Sequence, residues 1–238
     1  MRALLLCTLL AFASGAAPQA QPVPSAEKLF AAIDEGKELV AEGIVLRGKL
    51  DLDARNAAGE TVLHRAVEKG MQELTQALIR AGASLRARSG SGETVLHLAA
   101  LHADPAFTLL LLSAGADPKA RNDDGESPLH WASLSANASV AALLLERGAD
   151  PNAADVRGNR PLHAAADSGS VEMVRLLLSR TTDPSARNRE GRSAEEVARE
   201  RGHADAARLL AGSAPGGPAS FGGNFGTIDI DAQPRRSF

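Results

Sequence analysis

Five glycines, Gly59, Gly92, Gly125, Gly158 and Gly191, stand 33 residues apart, and so do four histidines, His64, His97, His130 and His163. A fixed period of this length restricts the chain to folds in which one supersecondary unit stacks on copies of itself. Each unit opens with a glycine-led turn: Gly59-Glu-Thr-Val-Leu-His, Gly92-Glu-Thr-Val-Leu-His, Gly125-Glu-Ser-Pro-Leu-His and Gly158-Asn-Arg-Pro-Leu-His. An Ala-rich first helix is expected after the turn. A Leu-rich second helix is expected over Leu74 to Ile79, Phe107 to Leu112, Val140 to Leu145 and Val171 to Leu178.

The punctuation between these helices has a physical basis. Asp104 with Pro105, Asn137 and Ser170 precede second helices, where a side-chain oxygen accepts from unpaired backbone N–H groups and a proline loses nothing. Gly82, Gly115 and Gly148 follow them, ready for the left-handed conformation that ends a helix. Thr181 stands where a fourth glycine is due, and a β-branched residue is strained at positive φ, so this helix is expected to end by another geometry. The core must be built mainly from Ala, Leu and Val, because the chain holds one Trp, six Phe and no Tyr. Such small fillers suit closely packed helices.

Ser127-Pro128-Leu129-His130-Trp131-Ala132 and Gly148-Ala149-Asp150 closely meet the Thr-Pro-Leu-His-x-Ala-Ala and Gly-Ala-Asp signature of the ankyrin repeat family. The chain resembles that family over about Ser25 to Gly212. The resemblance implies an all-α, ankyrin-type helical solenoid with β-turn fingers. It places a degenerate N-terminal cap at 25–58, full repeats at 59–91, 92–124, 125–157 and 158–190, and a C-terminal cap at 191–212. In that last cap Glu195, Glu196, Arg199, Glu200 and Arg201 make the first helix polar, as a terminal face meeting water requires. Val62 and Val95 depart from the pattern by replacing its proline. The resemblance further implies a non-catalytic, protein-binding scaffold whose contacts come from the fingers and the exposed side of the first helices.

The histidine row is the most tempting chemical site, and geometry excludes it as a metal centre. Equivalent positions in stacked repeats sit about 8–10 Å apart, whereas zinc ligands each lie about 2 Å from the ion. The imidazoles are instead expected to hydrogen-bond backbone at the turns and tie adjacent fingers. No phosphate-binding glycine loop, His-Glu-x-x-His pair or nucleophile elbow is present, so no enzyme activity and no cofactor are expected. A formal net charge of −3 offers no basic excess for nucleic acid. The expected partner is protein.

Two rows of residues are candidates for that contact. Arg55, Arg88, Arg121 and Arg187 share one repeat position, and Glu60, Glu93 and Glu126 lie five residues after the first three. Arg becomes Ala154 where Glu becomes Asn159, which suggests cross-turn Arg–Glu pairs on three fingers, or a charged ridge facing a partner. Asp124, Arg157 and Asn159 extend the finger set. On the first helices Glu68, Lys69, Leu101, His102, Leu134, Ser135 and Asp167 fall where the family contacts ligands. Leu101 and Leu134 form either an apolar centre for a charged rim or packing under the fingers. Trp131, in the slot of Arg65, Leu98 and Ala164, reads as packing between first helices in preference to a binding hot spot.

Arg2 followed by the apolar run Ala3 to Ala13 and small residues has the layout of a signal peptide, assigned to 1–20 with cleavage after Ala16. The run is too short to cross a bilayer that needs roughly 20 apolar residues. The expectation is an exported chain, periplasmic or secreted, with no membrane insertion after signal removal and a monomeric state. Cys7 is the sole cysteine, and Leu6 before it argues against lipidation. Residues 213–238, rich in Gly, Pro, Ser and Ala, read as a disordered tail; Phe221, Phe225, Phe238 and Ile228-Asp-Ile-Asp leave open a docking motif or an added strand. Asn137-Ala138-Ser139 is a glycan acceptor motif in a eukaryotic secretory route. Two functions follow: capture or inhibition of another exported protein, or structural organisation of the cell envelope through slab and tail.

Overall fold

The computed structural model describes residues 25–48 and 50–213. The segment expected to be a signal peptide, Cys7 and nearly all of the expected tail lie outside them. The described residues form helices without strands, as the all-α expectation requires, and divide into two compact units.

The first unit runs to Asn56 and includes Thr61–Ser84. It holds α1 (Ala26–Asp34), α2 (Glu38–Leu46), α3 (Val62–Glu68) and α4 (Gln72–Arg80). Helix α1 packs on α2 and α3, and α4 covers α2 and α3. Leu29, Ile33, Ala41, Leu63, Ala66, Leu74 and Leu78 are wholly buried between them, each leucine contributing about 1.5–3 kcal/mol. Met71 is a poor cap for α4, and the Glu38 carboxylate supplies the acceptor instead, 3.2 Å from the Leu74 N–H. Arg65 on α3 reaches Asp34 on α1 at 2.6 Å. The outward side of α2 is not polar throughout: Leu39 and Leu46 are 83% and 81% exposed.

The second unit contains Ala57–Glu60 and everything from Leu85. Its first helices are α5 (Val95–Ala99), α7 (Pro128–Leu134), α9 (Pro161–Ser168) and α11 (Ala194–Glu200). Its second helices are α6 (Ala106–Ser113), α8 (Ala138–Glu146), α10 (Val171–Leu178) and α12 (Ala204–Ala211). First helices pack on first helices and second on second, so the unit is two helical layers. Small Ala99, Ala132, Ala165 and Ala198 are fully buried where the first helices meet, and Leu111, Leu144 and Leu177 fill the second layer.

Helix ends follow the punctuation. Asp104 accepts from Ala106 N–H at 2.9 Å, Asn137 from Val140 at 3.3 Å and Ser170 from Met173 at 3.2 Å. Gly115 and Gly148 take φ of 94° and 88°. Helix α10 ends otherwise, as Thr181 requires: its N–H donates to the Leu177 carbonyl at 2.8 Å and its hydroxyl to Asn152 Oδ1 at 2.7 Å. The first helices exit through Gly169 and Gly202 at φ 73° and 80°, but alanine occupies the two preceding equivalents. Ala136 is forced to φ 57°, the sole positive value among described non-glycine residues. Ala103 avoids it, because α5 stops early at Ala99 and the chain tightens through His102 N–H to Ala99 before Asp104 and Pro105. The amide nitrogen of Asn137 donates to the His102 carbonyl at 2.5 Å. A glycan on it would displace a bond that joins two repeats.

Candidate protein-binding groove

Each finger is a β-turn closed from inside by a polar residue four positions before its last member. Asn122 Oδ1 accepts from Glu126 N–H at 2.8 Å, Asp155 Oδ1 from Asn159 at 2.7 Å and Asn188 Oδ1 from Arg192 at 3.0 Å. Ser89 does the same for Glu93 at 3.1 Å. Successive fingers are then joined by backbone: Gly90 N–H to Ala58, Asp123 to Ser91, Val156 to Asp124 and Arg189 to Arg157, all between 2.8 and 3.1 Å. This recurring Ser/Asn/Asp escapes a reading centred on glycine and histidine, although it keeps the same 33-residue spacing.

The histidines lock each finger to the helix beside it. His97, His130 and His163 accept at Nδ1 from the N–H of Thr94, Ser127 and Arg160 at 3.0–3.1 Å. Nε2 must then carry the proton, and it donates to the carbonyls of Glu126, Asn159 and Arg192 in the next finger at 3.1–3.2 Å. Burial disfavours the imidazolium and pushes His97 down to about 4, the carbonyl of Glu126 opposing it. His130 and His163 are lowered for the same reason. All three are neutral structural groups at pH 7.

The second unit carries a groove of about 490 Å³ beneath the fingers and along the first helices. Its lining follows the repeat register. One row is Leu101, Leu134, Asp167 and Glu200; a second is Trp131, Ala164 and Val197; a third, on the fingers, is Glu126, Asn159 and Arg192. The first row turns from leucine to carboxylate along the stack, the second stays apolar and the third runs from Glu126 through Asn159 to Arg192, so the groove is most apolar beside α7 and most charged beside α11. Trp131 is half-buried at the apolar end. Its indole N–H donates to Glu126 at 2.8 Å, and its ring meets His97 edge-on at 5.5 Å. Leu101 and Leu134 beside it are 53% and 54% exposed. At the charged end Arg192 pairs with Glu190 and, at 2.6 Å, with Glu200; Arg201 pairs with Asp167. Arg157 lies 3.8 Å from Glu126 and 3.7 Å from Asp155.

Of the candidate contact residues, Leu101, Glu126, Leu134, Arg157, Asn159 and Asp167 therefore share one groove. Arg88, Glu93, Arg121 and Asp124 lie on the fingers outside its lining, Glu60 belongs to the same unit, and Arg55, Glu68 and Lys69 belong to the first unit. His102 is stacked on Phe107 at 4.8 Å, and the Ser135 hydroxyl is spent on the Trp131 carbonyl at 2.9 Å. The suggested cross-turn pair fails at Arg121 and Glu126. Arg121 donates to the carbonyls of Gly125 and Ala154, both at 2.5 Å, while Glu126 holds Trp131 and Asn122. Arg88 reaches across to Asp123 of the following repeat at 2.7 Å, and Glu93 takes the Ser89 hydroxyl. Glu190, Arg192, Glu200 and Arg201 escape the sequence pattern as contact residues, because the C-terminal repeat reads as a solvated cap. Their register positions match those of Arg157, Asn159, Asp167 and Ser168.

Stacked helix pairs joined by hydrogen-bonded fingers and carrying a groove define a helical repeat scaffold. A family model described as ankyrin repeats in three copies matches residues 29–122, 63–155, 103–188 and 153–217, and the chain belongs to the ankyrin repeat family. No curated protein matches it. The family is a module for protein–protein interaction.

Proposed function

We propose that this chain is an exported binding protein that captures one protein partner in the groove of its second unit. The observation carrying the proposal is the cluster of half-buried Trp131 with half-exposed Leu101 and Leu134 at one end of a groove whose rim is charged. An apolar anchor inside a polar rim is the anatomy of protein interfaces, and Trp is the residue most often dominant in them. The leader-like N-terminal run supports export, and the partner is then another protein of the periplasm or exterior.

The test is a pull-down from that compartment with the full chain and its Leu134→Arg variant, with Arg208→Glu on the exposed side of α12 as control. Wild type and control should retain one stoichiometric partner, and the groove variant should bind it about 30-fold more weakly, a hot-spot-sized loss. Equal retention by all three would refute the groove as the site.

A further inference from the structure

The groove has an occupant within reach on its own chain. We propose that residues 235–238, Arg-Arg-Ser-Phe, dock intramolecularly in the groove, the arginines at its charged end and Phe238 against Trp131 and Leu134. The inference rests on reading the groove as a site for a protein segment.

Charge supports it. The lining contains the carboxylates of Glu126, Asp155, Asp167, Glu190 and Glu200 against the guanidinium groups of Arg157, Arg192 and Arg201. Every arginine is already engaged by at least one of these acids, and the two lining histidines, His130 and His163, are neutral. The excess is negative, which suits a dibasic segment.

Distance supports it as well. The described chain leaves α12 at Ser213, and α12 packs on α11, which supplies Val197 and Glu200 to the groove. Residues 214–238 span roughly 80 Å or more when extended, well beyond the distance of about 25–30 Å across the three helix spacings from α12 through α11 and α9 to α7. From Arg235 to Phe238 the extended chain covers about 10 Å, which is the single step from Asp167 on α9 to Trp131 on α7, and the long arginine side chains extend from there toward Glu190 and Glu200 one helix further on. The order of charge and apolar character along the segment thus repeats the order along the groove.

Trp131 is the single tryptophan of the sequence and lines the groove, so its quenching by acrylamide reports occupancy directly. A tethered segment acts at an effective concentration in the mM range. A contact with a Kd of about 1 mM would therefore fill roughly half the sites, and releasing it should raise the quenching constant about twofold. The full chain is compared with R235E/R236E, with E190K/E200K and with all four changes together. Each double variant should show the rise, and the quadruple variant, with charges exchanged, should return to the wild-type value. Identical quenching in all four proteins would overturn the proposal. Shielding that grows with protein concentration would overturn it too, because the occupant would then be a second copy. No partner enters this measurement, so its failure leaves the capture reading intact, and failure of the pull-down leaves the quenching result standing.

Discussion

Acidification below pH 6.5 should weaken this fold through its histidines. In the unfolded chain each imidazole takes up a proton near pH 6.5. In the folded chain His97 resists until about 4, since it is buried and its Nδ1 already accepts from Thr94 N–H at 3.1 Å. A base whose pKa falls on folding stabilises the folded state fully above pH 6.5, and that stability is lost as pH falls toward 4. Each tenfold loss of proton affinity is worth about 1.4 kcal/mol, so His97 alone accounts for about 3 kcal/mol across the window, with a local slope of about 1 kcal/mol per pH unit near pH 5. His130 and His163 act in the same direction.

The assay is urea unfolding followed by circular dichroism from pH 7.5 to 4.5, on wild type and His97→Gln. A glutamine amide is neutral at every pH and carries both an acceptor and a donor. The variant should lose some stability at pH 7.5 yet show a slope smaller by about 1 kcal/mol per pH unit near pH 5. Protonation should also act unevenly. The ring would retain its Nε2 bond to Glu126 at 3.1 Å but could no longer accept from Thr94, so exchange at the Thr94 amide should accelerate more than that at Ala132. Stability that is flat over the whole range, or equal slopes in both proteins, would refute the linkage.

Ala136→Gly should stabilise the chain by about 0.5–1 kcal/mol in the same urea assay, because relief of the left-handed alanine at φ 57° exceeds the entropy added to the unfolded state. Gly92→Ala should cost about 1–2 kcal/mol, since φ is 79° and the new Cβ would run into the Arg88–Asp123 ion pair; adding Asp123→Ala should recover part of that loss.

The layered helices were legible because burial and backbone geometry recur wherever Gly, His, Leu and Ala recur. Even the two irregular ends, at Thr181 and Asp104–Pro105, follow from which residues tolerate positive φ or lack an N–H. The finger contacts were not legible to the same depth. The joint change from Arg121 and Glu126 to Ala154 and Asn159 looked like the loss of an ion pair. In the structure Asn122 donates its amide to the Glu126 carboxylate at 3.0 Å, and Asn159 donates its amide to the Asp155 carboxylate at 3.1 Å. Donor and acceptor have changed places within the finger, so Asn159 answers Asp155 and not Ala154. Arg121 had a stronger option than an exposed carboxylate: two backbone carbonyls converge on one of its nitrogens only once the fingers are stacked. Sequence spacing cannot display an acceptor that belongs to the main chain.

The same contrast locates function. Residues that repeat faithfully are spent internally, the histidines on carbonyls, the glycines on turns, the alanines on helix contacts. The groove instead draws on positions where the repeat varies: Leu101, Leu134, Asp167 and Glu200 in one row, Glu126, Asn159 and Arg192 in another. A lattice of identical units would present a uniform stripe and no preferred register for a bound segment. Varying the exposed rows while holding the buried ones fixed turns that stripe into a surface with an apolar end and a charged end, which fixes both position and direction for whatever lies along it. Partner retention in the pull-down should therefore fall for L134D/D167L, a change that preserves composition but breaks the apolar-to-charged order of the row while Leu101 and Glu200 stay in place.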